Sequence, residues 1–245
     1  MYAELVEMIS IKSKKTTFCS TIVLSAIYVL SLFLLSIASG AQESELIESS
    51  VSKPYGLSYG EWSVKWWQWV LSIPADKSPI IDKSGAYCAT NQNNSNVWFL
   101  VGSGGGEVVR TCTIPAGKAI FFPIINVECS YAEDSSAKTE QDLRNCARED
   151  QNKVTYLRLS IDGVNIQNLT KYRTDSPLFN FTTPENGLFD LKSASTQGVS
   201  DGYFVMLKPP SPGSHELIFS GIYGNPTVAG SQILIEMATY HLTIE

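Results

Sequence analysis

Residues 58–74 read SYGEWSVKWWQWVLSIP, and they hold four of the five tryptophans of the chain, Trp62, Trp66, Trp67 and Trp69. Ser58 and Glu61 are spaced as a capping box, in which the serine hydroxyl accepts from the third helical amide and the glutamate reaches back to the cap amide. Pro74 disfavours helix in the residue before it. The stretch therefore predicts a helix from about Tyr59 to Ser72. At about 100° per residue, Trp62, Trp66, Trp69 and Ile73 fall on one stripe, with Tyr59 and Val70 beside it. Trp67, Leu71 and Val64 form a second apolar flank, which leaves Glu61, Lys65, Gln68 and Ser72 as a narrow polar strip. A helix apolar over most of its circumference is covered on more than one side. Trp62, Trp66 and Trp69 are expected in the core, and Trp67, off the main stripe, is the ring reserved for a partner or glycan.

Upstream, Lys12, Lys14 and Lys15 precede an apolar run from Ile22 to Ile37, followed by the small residues Ala38-Ser39-Gly40-Ala41. This is the order of a secretory signal, removed near Ala41. An uncleaved N-terminal anchor is the alternative, and would be the only membrane attachment the sequence offers. The expected organisation is a signal or anchor over 1–41, a polar linker over 42–57, and one domain over 58–245.

The whole chain has 245 residues, 44% hydrophobic and 17% charged, with a net charge of -6. Removing residues 1–41 leaves 15 basic and 22 acidic side chains and a net charge of -7. Nothing in that balance neutralises a phosphate backbone, so a nucleic-acid partner is disfavoured. Removal also takes Cys19, leaving Cys88, Cys112, Cys129 and Cys146. An even count after export argues for two disulfides. Of three possible connectivities the local pairs Cys88–Cys112 and Cys129–Cys146 are preferred. Closing a loop the size of the second contributes about 3 kcal/mol in the chain-entropy picture. Glycosylation triplets begin at Asn93, Asn168 and Asn180.

Beyond Pro74 the pattern changes to short apolar runs separated by turn signals such as Asp162-Gly163, Asn186-Gly187, Asp201-Gly202 and Pro212-Gly213. NVWFLVGSGGGEVVRTCTI reads as a hairpin around its glycines, and Pro123 in the next strand marks an edge or a bulge. AKTEQDLRNCARED reads as a short helix capped at Thr139. In the last strand Ile233, Ile235 and Met237 share one parity and Tyr240, Leu242 and Ile244 the other, so a β-bulge near Ala238-Thr239 is expected. The fold class is a mainly β, antiparallel sandwich of jelly-roll or immunoglobulin-like type, with the tryptophan helix packed on it.

YGEWSVKWWQWVLSIP and RTCTIPAGKAIFFPIINVEC together resemble segments of an uncharacterised family of small secreted proteins from environmental archaea and bacteria. The resemblance covers roughly residues 55–130. It implies export and a shared fold, and it brings no catalytic residues.

The chemistry-bearing stretches are few. Gly102-Ser103-Gly104-Gly105-Gly106 leads into a strand rather than a helix, so it is not a phosphate cradle. His215, in PGSHELIF, shares parity with Leu217 and Phe219 and reads as a satisfied structural histidine. PGSH resembles the copper loop of cupredoxins, but that site needs two histidines and a thiolate, and the cysteines here serve disulfides. His241 is expected to point outward. No G-x-S-x-G elbow is present. Seven acids lie between Glu128 and Asp150 (Glu128, Glu133, Asp134, Glu140, Asp142, Glu149 and Asp150) without the spacing of a calcium loop. No cofactor or metal is expected.

The leading function is a secreted or cell-surface, non-enzymatic module that binds an extracellular protein or glycan. The rival is a secreted carbohydrate-active hydrolase using paired carboxylates of the 128–150 excursion. A structural envelope protein is third. N-terminal sequencing of the native protein should begin close to Gln42; a chain beginning at Met1 would mean an anchor.

Overall fold

The tryptophan segment forms helix α1, Tyr59–Leu71, and its capping box is present: the Ser58 hydroxyl accepts from Glu61 N, while Ser58 N donates to Glu61 Oε2 at 2.8 Å. The structure, a computed structural model, describes residues 45–93, 96–190, 194–224 and 232–245. The expected signal or anchor lies outside the described residues. Among the described residues no helix is long and apolar enough to cross a membrane.

Ten strands follow α1. They are β1 (Val97–Phe99), β2 (Gly106–Ile114), β3 (Ala119–Ser130), β4 (Val154–Ile161), β5 (Val164–Asn165), β6 (Arg173–Asp175), β7 (Phe179–Thr183), β8 (Ala194–Leu207), β9 (Gly213–Tyr223) and β10 (Leu234–Ile244). Helix α2, Glu140–Gln151, interrupts them after β3, with Thr139 as its N-cap. The strands make two five-stranded sheets. One runs β1-β3-β8-β6 with β7 also on β8; the other runs β2-β10-β9-β4-β5.

Both sheets are mixed, which corrects the antiparallel expectation. β1 pairs with β3 in parallel, and β2 pairs with β10 in parallel. The hairpin expected between β1 and β2 does not form for the same reason. Gly104, Gly105 and Gly106 all have positive φ and turn the chain, but they hand it from one sheet to the other. Parallel pairing depends on long crossovers and leaves no local turn signature.

The expected bulge at Pro123 is real: the register shifts between Pro123 and Ile125, though β3 lies inside its sheet and not at an edge. The expected bulge in the last strand is absent. β10 pairs in unbroken register with β9, so Ala238, Tyr240, Leu242 and Ile244 are buried while Ile233, Leu234 and Ile235 are exposed. Burial of that start of the strand is not required, because it forms the wall of an open cleft. Part of the stretch expected as a linker lies against the first sheet: Glu48 N donates to Met206 O at 2.9 Å and Ile47 is buried.

The sheets meet through β3 and β9, where the rings of Phe122 and Phe219 lie 4.7 Å apart. α1 packs on the first sheet, mainly against β7. Trp62 and Trp66 are 2% exposed and Trp69 is 7%, as their shared stripe predicts. Each indole N–H of this stripe reaches a loop carbonyl: Trp62 to Pro54 at 2.9 Å, Trp66 to Leu100 at 2.7 Å and Trp69 to Thr90 at 2.9 Å. The disulfides are Cys88–Cys112 and Cys129–Cys146, the local pairs. Trp66→Ala should lower unfolding stability by about 3–5 kcal/mol, the cost of deleting a core indole, measured by urea denaturation. An unchanged midpoint would contradict a core role for this ring.

Candidate functional site

A cleft of about 960 Å³ opens where α1, β3, the ends of β9 and β10 and three loops meet. α1 contributes Trp66 and Trp67, and β3 contributes Asn126, Val127 and Glu128. Glu133 follows β3, Asp150 and Lys153 come from the end of α2, and Tyr223 and Glu236 come from β9 and β10. The remaining wall is apolar: Ile80 and Ile81 on one loop, Leu188 and Phe189 on another, and Ile233 and Leu234 at the start of β10.

Several polar groups on this wall lack partners. Of the described buried side-chain atoms, four make no hydrogen bond: Trp67 Nε1, Trp98 Nε1, Asn126 Nδ2 and Glu128 Oε1. Three of these four belong to residues that line the cleft. Buried polar atoms are nearly always paired, because leaving one unmade costs about 1–3 kcal/mol. Trp67 is 5% exposed, so it is buried and not the solvent-facing ring the sequence allowed. It still differs from its three helical neighbours, whose N–H groups are all satisfied.

The carboxyls are perturbed. Burial pushes Glu128 up to about 10, helped by a hydrogen bond to Glu133 and by that residue's negative charge, against a lowering by Ser130. Glu128 therefore holds its proton at neutral pH. Burial alone raises Glu236 to about 7. No hydrogen bond or ion pair compensates Glu236 among the described residues. Both carboxyls use close approach to glycine backbone. A Cβ at Gly102 would stand 2.8 Å from Glu236 Oε2, and one at Gly198 would collide with Glu128 Oε1.

The structure sorts the seven acids of 128–150, of which Glu149 is simply exposed. Glu128, Glu133 and Asp150 reach the cleft. Asp142 completes the Thr139 capping box, Asp134 accepts from Ser136 at 2.6 Å, and Glu140 pairs with Arg144 at 2.6 Å. Sequence reasoning named Glu128 within that group but missed Glu236 and Asn126. A lone carboxylate within the apolar run ILIEM, sharing the parity of Tyr240, was the available signal for Glu236.

His215 is satisfied, as expected: Nδ1 lies 2.7 Å from Asp162 Oδ2 and Nε2 lies 2.8 Å from Ser211 O. Burial lowers its pKa, but the Asp162 and Ser211 hydrogen bonds and the Asp162 charge raise it on balance. His241 is exposed, as expected. Asn168 and Asn180 are exposed; Asn93 is exposed too, but Asn94 and Ser95 of its triplet lie outside the described residues.

No protein-family model matches this chain, and no curated protein matches it. Two solved structures resemble part of it. The complex of PbICP-C with falcipain-2 shares 11% identity at a TM-score of 0.24, covering 62% of this chain and 100% of that one. The solution structure of amebosin shares 10% at a TM-score of 0.20, covering 62% and 100%. Likeness at that level carries no argument about either fold or function.

Glu128 makes the fold pH-dependent. Its folded value lies far above the ordinary 4.5 of an unfolded chain, so folding takes up a proton between those limits. Its contribution is greatest below about 4.5 and declines as pH rises toward about 10. Glu128→Gln keeps the donor to Glu133 and cannot ionise. Relative to this variant the native chain should lose about 1 kcal/mol per pH unit between about pH 6 and pH 9 in denaturant titrations. Parallel stability profiles would mean that Glu128 ionises normally.

Proposed function

We propose that the protein is an exported, extracellular or cell-surface module that binds a glycan in this cleft without transforming it. Two disulfides fit an extracellular protein. The observation that carries the reading is that Trp67 Nε1, Asn126 Nδ2 and Glu128 Oε1, three of the four unpartnered buried polar atoms among the described residues, belong to residues lining one concave, largely apolar cleft. A pocket of that kind, apolar with a few convergent polar groups, is the usual form of a small-ligand site. Sugar hydroxyls both donate and accept, so one hydroxylated ring can serve donors and acceptor together, while its C–H face suits Leu188 and Phe189. The proposal includes two sheets layered as a jelly-roll or immunoglobulin-like sandwich, supported by the Phe122–Phe219 contact, and N-glycosylation at the exposed Asn168 and Asn180.

A hydrolase is the second reading, favoured by carboxyls of different proton state within one cleft. Glu128 would be the acid and Glu133 or Glu236 the base. It ranks lower because a general acid works best with a pKa near the operating pH, and burial holds the Glu128 proton far more tightly.

A glycan array followed by titration calorimetry on the retained sugar tests the proposal. Trp67→Phe keeps an aromatic ring and removes the N–H; it should weaken binding about tenfold, the worth of one hydrogen bond in a dry site, in a protein that still unfolds cooperatively at a somewhat lower melting temperature. An array that retains nothing, or a Trp67→Phe variant that binds undiminished, would overturn it. Release of new reducing ends from the bound sugar would favour the hydrolase.

A further inference from the structure

We propose that the glycan bound here carries a free amino group, and that its ammonium sits against the carboxylate of Glu236. This rests on the reading of the cleft as a saccharide site and adds the ligand's charge.

The cleft holds four carboxyls, Glu128, Glu133, Asp150 and Glu236, and one cation, Lys153. Lys153 is already committed, with Nζ 2.5 Å from Asp150 Oδ1. Glu133 accepts from Ser130 Oγ at 3.0 Å and from the Glu128 proton. Glu236 alone has neither hydrogen bond nor counterion among the described residues, on a partly buried side chain that lines the cleft. The groups around it are the Tyr223 hydroxyl on β9 and the other carboxyls and Lys153 across the cleft; Tyr223 stays neutral, its pKa raised by burial and then by the charges of Glu236 and Asp150. A Cβ at Gly102 would stand 2.8 Å from Glu236 Oε2, so the carboxylate packs against bare backbone.

The acids do not stand alone as evidence. Trp67, 5% exposed, and Glu128, 8% exposed, both line the cleft and each carries a buried polar atom without a partner. The two kinds of vacancy ask for different chemistry. The N–H groups of Trp67 and Asn126 need acceptors, which an alkylamine lacks. Glu236 needs a cation, which a neutral sugar lacks. An amino sugar with its nitrogen unacetylated supplies hydroxyl and ring oxygens for the first and an ammonium for the second. The charge-assisted bond to Glu236 is the stronger of these contacts.

Calorimetry on the purified protein at about pH 7.5 would use trimers of glucosamine and of galactosamine, each beside its N-acetylated counterpart, with hexylamine as the bare cation. A free-amine trimer should bind at least about tenfold tighter than its acetylated form, the range of a hydrogen bond to a charged group. Glu236→Gln should abolish that preference while leaving the acetylated trimer's affinity in place and the melting temperature no lower than that of the native protein. Equal affinities, or a preference that survives Glu236→Gln, overturn the inference and leave saccharide binding standing. Hexylamine binding as tightly as the free-amine trimer keeps the ammonium on Glu236 and overturns the saccharide reading. Failure of every trimer and of hexylamine overturns both.

Discussion

A guanidinium with no carboxylate beside it fixes the part of the molecule on which the cleft is built. Arg110, on β2, is 1% exposed. Its Nε donates to Asp82 O at 2.7 Å, Nη2 to Ile80 O at 3.0 Å, and Nη1 to Val101 O, Gly102 O and the Tyr240 hydroxyl at 3.0, 2.9 and 2.9 Å. A buried charge is tolerable only when its hydrogen bonds are complete. Here backbone carbonyls complete them, so the charge dictates where two loops run. Those loops carry Ile80, Ile81, Gly102 and Gly104, one wall of the cleft. Tyr240 closes the arrangement, its ring 5.5 Å from the guanidinium carbon and its hydroxyl on Val101 O at 2.9 Å. Second-sheet strands and irregular loops are thus locked by one side chain.

Helix α1 applies the same logic from the first sheet. An indole combines a large apolar ring with a single donor that must be satisfied when buried. Trp62, Trp66 and Trp69 each send that donor to a carbonyl of an irregular segment. Trp66 reaches Leu100, next to the Val101 carbonyl that Arg110 takes. The two anchors meet on adjacent residues, which ties the helix, the crossing between sheets and β2 into one unit. Against that pattern Trp67 is informative. It sits one position from Trp66, equally buried, with a donor that no loop satisfies.

The parts of this fold legible in the sequence are those whose determinants lie close together along the chain. The capping boxes at Ser58 and Thr139 need three residues, the tryptophan stripe needs one helix, and the two disulfides close loops with separations of 24 and 17. The pairing of strands was not legible. β2 finds β10 more than a hundred residues away, and its apolar alternation, eeBeBeBeB from Gly106 to Ile114, is the same whichever neighbour it takes. The parity argument in β10 failed for a related reason. It assumed that every apolar residue of the strand must be buried, whereas Ile233 and Leu234 serve as a cleft wall. Glu236, between them and the core, was passed over because a single carboxylate in an apolar run has no periodicity to register.

Glu128 and Glu236 are costly to the fold that contains them. Each carboxyl is pushed toward its neutral form by burial, and each lies against glycine backbone, where a side chain would have displaced it. An apolar residue at either position would pack the same space without a desolvation cost. Nothing in the packing of β3 or β10 calls for an acid there, in contrast to Asp142 and Glu140, which cap and brace α2. Groups that lower stability and, as with Glu236, satisfy no internal partner are expected at sites where a ligand supplies the missing interactions. The unpartnered Trp67 and Asn126 donors belong to the same account: under the proposed reading, acceptor and donor vacancies on residues of one cleft would suit a single hydroxylated molecule, and the uncompensated Glu236 would select among such molecules by their own charge.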